Sequence, residues 1–271
     1  MRRAFWQSRL ATGAIFAISI LIVALIWLRR WGGPVYIPLV ASALMLGIGL
    51  AFGYLVGNMV AGSVNVKLLG YLHVELDPEK FLAAYEKVPG RMKPGSVDQA
   101  VASAYLADGY AARGQFQQAL GTLCLPGQES KQYVALRGNV LQKRCSYQLF
   151  AGDVPAAKET LAQLGALIQD AEKDPETKPQ LLDNLKTGQH ILQNRLNALG
   201  NKQVDESFLL TKVKGASYSL LRLELWQTLA IWAMRELNRE KSEKYLSKLV
   251  QEGGKTFFVP WAQEQLGRIP A

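Results

Sequence analysis

The chain has 271 residues, of which 49% are hydrophobic, and a formal net charge of +9. Its length allows one membrane unit and one folded domain of about 200 residues. Residues 1–67 hold six basic residues and no acidic ones, whereas residues 68–271 hold 25 basic and 22 acidic residues. Because the excess charge belongs mostly to the N-terminal region and a nucleic-acid footprint needs a clustered basic face, nucleic acid is not expected as a partner.

Two uncharged apolar stretches occupy residues 11–28 and 35–60. Each is long enough to cross the hydrocarbon core of a bilayer. Arg29 and Arg30 end the first stretch, and the turn-forming sequence 32–34 separates it from the second. The pattern predicts a transmembrane helical hairpin over residues 1–62. The alternative is a cleavable signal peptide, which the long apolar run and the second span that follows at once disfavour.

The arginines around the first span predict the orientation of the hairpin. Arg2, Arg3 and Arg9 precede this span, whereas only Arg29 and Arg30 occupy the loop after it. Since basic flanks stay in the cytoplasm, both ends of the hairpin are expected there. We therefore expect a multi-pass protein of the cytoplasmic membrane, with its folded domain in the cytoplasm.

Small residues recur at intervals of four in the second span. Gly49, Gly53, Gly57 and Ala61 would form a smooth strip on one helical face, along which another helix can approach closely. The strip has two interpretations: packing against the first span of the same chain, or association of two chains as a homo-oligomer.

The rest of the chain has signals for helices and almost none for strands. Residues 63–95 are predicted to be a juxtamembrane linker and a first helix, which Asp77 and Pro78 begin and which ends near residue 87. Ser96 and Gln99 form a capping-box pattern for the next helix, which runs to residue 113. Turn residues divide the remainder into helices at about 115–125, 131–150, 155–171, 179–200, 204–213, 217–238, 240–252 and 260–266.

One segment contains a repeat pattern of apolar, small and aromatic residues, made by Leu106, Ala107, Tyr110, Gly114, Phe116, Ala119, Leu120 and Leu123. The pattern resembles a tetratricopeptide repeat (TPR), and weaker copies are present around residues 145–164 and 226–249. The two-span layout also resembles that of other bacterial membrane proteins. The TPR resemblance covers about residues 96–252 and implies an all-α, TPR-like solenoid of stacked helical hairpins, with residues 253–271 as a C-terminal capping helix.

A stack of helical hairpins has a concave surface, formed by the first helix of each pair. If the resemblance holds, this surface is a groove for a protein or peptide partner. Its candidate partner residues are Tyr105, Asp108, Asn139, Gln142, Lys143, Glu224, Gln227 and Arg235.

The sequence has no pattern typical of a catalytic centre. His73 and His190 are the only histidines, and neither has a second ligand at helical spacing. No phosphate-binding glycine loop and no nucleophile elbow is present. We therefore predict no enzymatic activity, no cofactor and no metal.

Together these patterns predict a membrane-anchored scaffold that binds a protein or peptide partner at the membrane surface. The alternative is an accessory subunit of an envelope-assembly or transport complex that acts through its spans. Neither predicted span contains an ionisable residue, which disfavours an ion path through the membrane.

Overall fold

The computed structural model describes residues 13–15, 17–22, 25, 47, 51, 66–128, 132–200, 202–216 and 218–269. The chain divides into two compact units, Met1–Leu69 and Gly70–Ala271. This division falls inside the predicted linker 63–95, a few residues beyond the predicted end of the hairpin at 62.

Most of the two predicted spans lies outside the described residues, and so do Gly49, Gly53, Gly57 and Ala61. Within the part of the chain that the structure describes, no helix has both the length and the apolar character needed to cross a bilayer. The transmembrane hairpin and its helix-packing strip therefore stay predictions.

The described residues form an all-helical structure without strands. Residues 66–73 are helical and lie in the segment 63–95, which the sequence predicts as a juxtamembrane linker and first helix. The helices that follow are α1 (Pro78–Tyr85), a short 3-10 turn (Pro89–Arg91), α2 (Val97–Ala112), α3 (Phe116–Thr122), α4 (Tyr133–Phe150), α5 (Val154–Lys173), α6 (Pro179–Leu199), α7 (Glu206–Lys214), α8 (Ser219–Arg235), α9 (Arg239–Glu252) and α10 (Phe258–Arg268).

Local chemistry explains where these helices begin. The Asp77 carboxylate accepts a hydrogen bond from the Lys80 amide at 3.0 Å, and the Ser96 hydroxyl accepts one from the Gln99 amide at 3.2 Å. The Gln99 side chain in turn accepts from the amide of Gly95, one residue before the position expected in a capping box. These caps satisfy amides that have no partner inside the helix.

Three helical hairpins share the same turn. In the α2–α3, α4–α5 and α8–α9 hairpins, one residue adopts a left-handed backbone conformation: Gly114 (φ 83°), Gly152 (φ 79°) and Leu237 (φ 54°). The amide that follows donates to the carbonyl five residues earlier in all three turns, at 2.9 to 3.0 Å. Such a bond satisfies a carbonyl at the end of the first helix.

Small residues lie where the paired helices cross. Ala107 and Ala119 are completely buried between α2 and α3. Ala157 in α5 and Ser242 in α9 take equivalent buried positions in the other two hairpins. A larger side chain at these points would hold the helices apart.

The C-terminal segment contacts both the turn before α1 and the first hairpin. The Lys255 amide donates to the Leu76 carbonyl at 2.9 Å, and the Phe257 amide donates to the Ala112 carbonyl at 2.8 Å. The rings of Phe116 and Phe257 meet edge to face, 5.1 Å apart. In an open solenoid each repeat contacts only its neighbours. The segment predicted as a cap therefore also joins the two ends of the helical unit.

Candidate partner groove

A cavity of about 90 Å³ lies between α2, α4, α6 and α8. We call it the groove cavity. Five of the eight predicted groove residues line it: Asp108, Asn139, Gln142, Lys143 and Glu224. They come from α2, α4 and α8, the first helices of the three hairpins, and α6 contributes Gly188, Ile191 and Leu192 to the wall.

The other three predicted groove residues lie elsewhere. The Tyr105 ring packs edge to face against the ring of His73, 6.5 Å away. Gln227 is buried and accepts a hydrogen bond from Arg195. Arg235 is exposed in the last turn of α8 and does not line the cavity.

Lys143 and Asp108 form the most compact ion pair of the site. The Lys143 ammonium lies 2.6 and 2.7 Å from the two carboxylate oxygens of Asp108. Burial acts to lower the pKa of Lys143, but attraction to Asp108, Tyr218 and Glu224 outweighs it and raises this pKa. Lys143 therefore stays protonated and neutralises Asp108, so that this pair presents little net charge to a partner.

Tyr147 completes the environment of Asp108 from one helical turn beyond Lys143. Its hydroxyl donates to the Asp108 carboxylate. Burial, followed by the negative charge of Asp108, raises the pKa of Tyr147 well above its ordinary value. The phenol therefore remains a donor and helps to fix the orientation of the carboxylate in the cavity wall.

Arg195 lies behind the cavity and is only 3% exposed. Its Nη2 donates to the Gln227 side-chain oxygen at 2.7 Å, and its Nη1 lies 3.8 Å from the Glu224 carboxylate. The guanidinium also lies 3.6 Å from the centre of the Phe150 ring, within the range of a cation–π contact. Burial lowers the pKa of Arg195 to about 10, which still leaves it charged at neutral pH.

Glu224 connects Arg195 to the groove cavity. Its carboxylate accepts a hydrogen bond from the Ser146 hydroxyl at 3.0 Å. Burial raises the pKa of Glu224, and this effect exceeds the opposite effect of Arg195. The two helices α4 and α8 are thus joined by polar contacts beneath the cavity as well as by apolar packing.

Sequence reasoning missed Arg195, Tyr147 and Tyr218. A signal for Arg195 was present, because Leu192 follows Leu185 by seven positions and Arg195 follows Leu192 by three, which puts all three on the same helical face. A lone arginine on an apolar face indicates a buried charge that needs a partner. The sequence alone does not identify that partner, since Glu224 lies 29 positions further along the chain.

Gly188 brings α6 close to one wall of the groove cavity. A Cβ atom at this position would lie 2.2 Å from the side-chain nitrogen of Gln142. The Gln142 amide therefore lies directly against the backbone of α6, where only glycine leaves room for it. Any larger residue would displace this amide from its place in the cavity wall.

His73 lies in a partly buried environment that disfavours its protonated form. Its ring lies 5.3 Å from that of Tyr218, and its Nδ1 has no hydrogen-bond partner among the described residues. Burial lowers the pKa of His73, Asp108 opposes this shift, and Lys143 adds to it. The neutral imidazole is thus favoured in the folded state.

The pKa of His73 is about 6.5 in the unfolded chain and lower in the folded one. We therefore expect His73 to contribute fully to the free energy of unfolding above about pH 6.5, and this contribution to be lost as the pH falls toward the folded pKa. Chemical unfolding between about pH 5 and 7.5 checks this when wild type and His73→Phe are compared. The raised pKa of Glu224 acts in both proteins and cancels in the difference. Parallel pH profiles for the two proteins would contradict the assignment.

The described residues contain no group of three potential metal ligands that converge on one point. His190 stacks on the Phe208 ring with the ring centres 4.1 Å apart, and His73 lies between two tyrosine rings. Both histidines therefore have aromatic rings as neighbours.

No family model, curated protein or solved structure matches the chain significantly. The structure itself defines the fold class. The described part of Gly70–Ala271 is an all-helical unit, built from helical hairpins around a cavity that polar side chains line.

Proposed function

We propose that this chain is a membrane-anchored, TPR-like scaffold whose groove cavity binds an extended segment of a protein partner. The observation that carries the proposal is the convergence of Asp108, Asn139, Gln142, Lys143 and Glu224 from three hairpins on one cavity. These residues lie at positions that the repeat pattern predicts to face the concave surface of a stack of helical hairpins, which supports the proposal.

The chemistry of the cavity favours an uncharged part of the partner. The positive charge of Lys143 is already matched by Asp108. Asn139 and Gln142 provide amide groups that both donate and accept, as the backbone of an extended peptide requires. Ile191 adds an apolar contact surface. A cavity of 90 Å³ holds about three water molecules, which a side chain of the partner would displace.

A photoreactive amino acid at Asn139 tests the proposal in native membranes. Asn139 is exposed at the cavity, and exposed Gln163 of α5 is a matched control outside it. We expect the probe at position 139 to capture one discrete partner and the probe at 163 to capture none. The same products from both positions, or none from either, would contradict the scaffold function.

Gly188→Ala provides an independent check of the site. The added methyl group must displace the Gln142 side chain, whose end is flexible, so the fold should persist with a similar melting temperature. Loss of one or two hydrogen bonds to the partner would weaken its binding by about tenfold. Titration of the captured partner segment against both proteins measures this, and unchanged affinity would argue that the segment binds elsewhere.

A further inference from the structure

The turn between α8 and α9 differs from the other two hairpin turns at one position. Gly114 and Gly152 occupy the left-handed position in the first two hairpins, whereas Leu237 occupies it in the third. Glycine adopts this backbone conformation without strain, but a side chain brings its Cβ atom too close to the backbone. Leucine at this position therefore weakens the turn.

The side chain of Leu237 is also 90% exposed, the most exposed large apolar side chain among the described residues. The second left-handed leucine, Leu76 (φ 51°), is 5% exposed, and its carbonyl accepts a hydrogen bond from the Lys255 amide. Burial and hydrogen bonding thus account for Leu76. The Leu237 amide also donates a hydrogen bond, to the Met234 carbonyl at 3.2 Å, but its side chain gains no burial that would offset the strain.

A hollow of about 470 Å³ lies beside Leu237, between the α8–α9 turn and the end of α10. Met234 and Ile269 provide apolar walls, and Gln265 lies on the α10 side. A protruding leucine and an apolar hollow therefore belong to the same surface patch. Two copies related by a two-fold axis can each insert this leucine into the hollow of the other, because such a patch is complementary to itself.

The charges around the hollow fit the same arrangement. Glu236 and Glu240 are exposed on either side of Leu237. Arg239 and Arg268 line the hollow and remain more than half exposed, although each also pairs with a glutamate of its own helix. When Leu237 enters the hollow of a second copy, its flanking carboxylates approach the arginines there. This pairing of opposite charges favours a second copy over an anionic lipid surface, which the glutamates would repel.

We propose that the α8–α9 turn is a self-association surface, in which Leu237 of each copy inserts into the hollow of the other. The surface lies outside the groove cavity and uses none of its lining residues. Association through it is therefore independent of the proposed partner binding. It is also distinct from the predicted glycine strip of the second span.

Light scattering on the full-length protein in detergent tests this surface. At about 100 µM, a contact with an affinity of about 1 µM is saturated, so the wild type should be a dimer. We expect Leu237→Asp to be monomeric and the control Val74→Asp, at an exposed valine elsewhere, to remain dimeric. A monomeric wild type, or a dissociation constant that Leu237→Asp leaves unchanged, overturns the proposal, because association through the predicted glycine strip would not respond to this substitution.

Leu237→Gly separates association from folding. Glycine relieves the strained turn, so the melting temperature of the monomer at low concentration should rise, while the dimer dissociation constant should increase at least about tenfold because the inserted side chain is lost. A variant with a higher melting temperature and an unchanged dissociation constant would show that the leucine does not mediate contact.

Disulfide crosslinking between two differently substituted chains tests whether Leu237 of one copy lies in the hollow of the other. One chain carries Leu237→Cys and the other Gln265→Cys, both with Cys124→Ser; the native Cys145 stays because it is buried and its pKa is raised to about 12. Oxidation of the mixture should produce the mixed disulfide dimer. A mixture of Val74→Cys and Gln265→Cys chains is the control, and equal yields from both mixtures overturn the proposal.

Discussion

Replacing Arg195 with methionine is expected to lower the free energy of unfolding by about 3 kcal/mol. This value is at the lower end of the costs measured when one member of a buried ion pair is removed. Methionine can fill the space but cannot donate a hydrogen bond. Gln227 loses its donor at 2.7 Å, Glu224 loses its nearest cation, and the Phe150 ring loses the guanidinium above it. Chemical unfolding of the full-length protein, followed by tryptophan fluorescence, measures the change.

Arg222→Met is the matched control for this prediction. Arg222 lies on the same helix as Glu224 and pairs with Glu252 at 2.9 Å, a shorter distance than that between Arg195 and Glu224. Its pair is partly exposed to solvent, so its loss should cost less than about 1 kcal/mol. If the two variants lose equal stability, burial is not what makes Arg195 important.

Adding Glu224→Gln to Arg195→Met should restore part of the stability. The double variant no longer contains a carboxylate without its cation, and glutamine can still accept from the Ser146 hydroxyl. The two effects should therefore not add. Full additivity would mean that Arg195 acts through Gln227 and Phe150 alone.

The helices of the unit 70–271 were largely predictable because their ends depend on local chemistry. Asp77 and Ser96 cap the helices that they were predicted to begin. Gly114 and Gly152 end hairpin helices in the left-handed conformation that favours glycine. Caps and breakers act over a few residues, so one sequence is enough to recognise them.

The candidate site was predictable only where it followed the repeat pattern. Asp108, Asn139 and Lys143 lie at positions that the repeat pattern predicts to face inward, and the structure brings them to one cavity. Arg195 lies on α6, which carries no repeat signature, and its partner Glu224 is distant in sequence. Contacts between residues far apart in the chain depend on how the hairpins are placed relative to each other, which spacing alone does not determine.

The contact between residues 75–77 and 254–257, which joins the two ends of the helical unit and which we call the closing contact, was not predicted either. The substitution expected to disturb it most is Gly254→Ala. Gly254 has φ +57°, and a Cβ atom there would lie 2.6 Å from the Leu76 Cβ and 3.0 Å from the Leu76 carbonyl oxygen. Neither atom can swing aside as the end of a long side chain would. The new methyl group must therefore separate the two segments.

We expect Gly254→Ala to lower the free energy of unfolding by about 3 kcal/mol: roughly 1–2 kcal/mol from the left-handed backbone and the rest from overpacking against Leu76. Gly152→Ala is the control, because Gly152 has φ +79° but open space where the Cβ would lie, and it should lose only about 1 kcal/mol. The difference between the two variants measures the closing contact itself, since the backbone strain is common to both. If they lose the same stability in chemical unfolding, residues 254–257 contribute nothing by meeting Leu76, and the helical unit behaves as an open stack whose ends are independent.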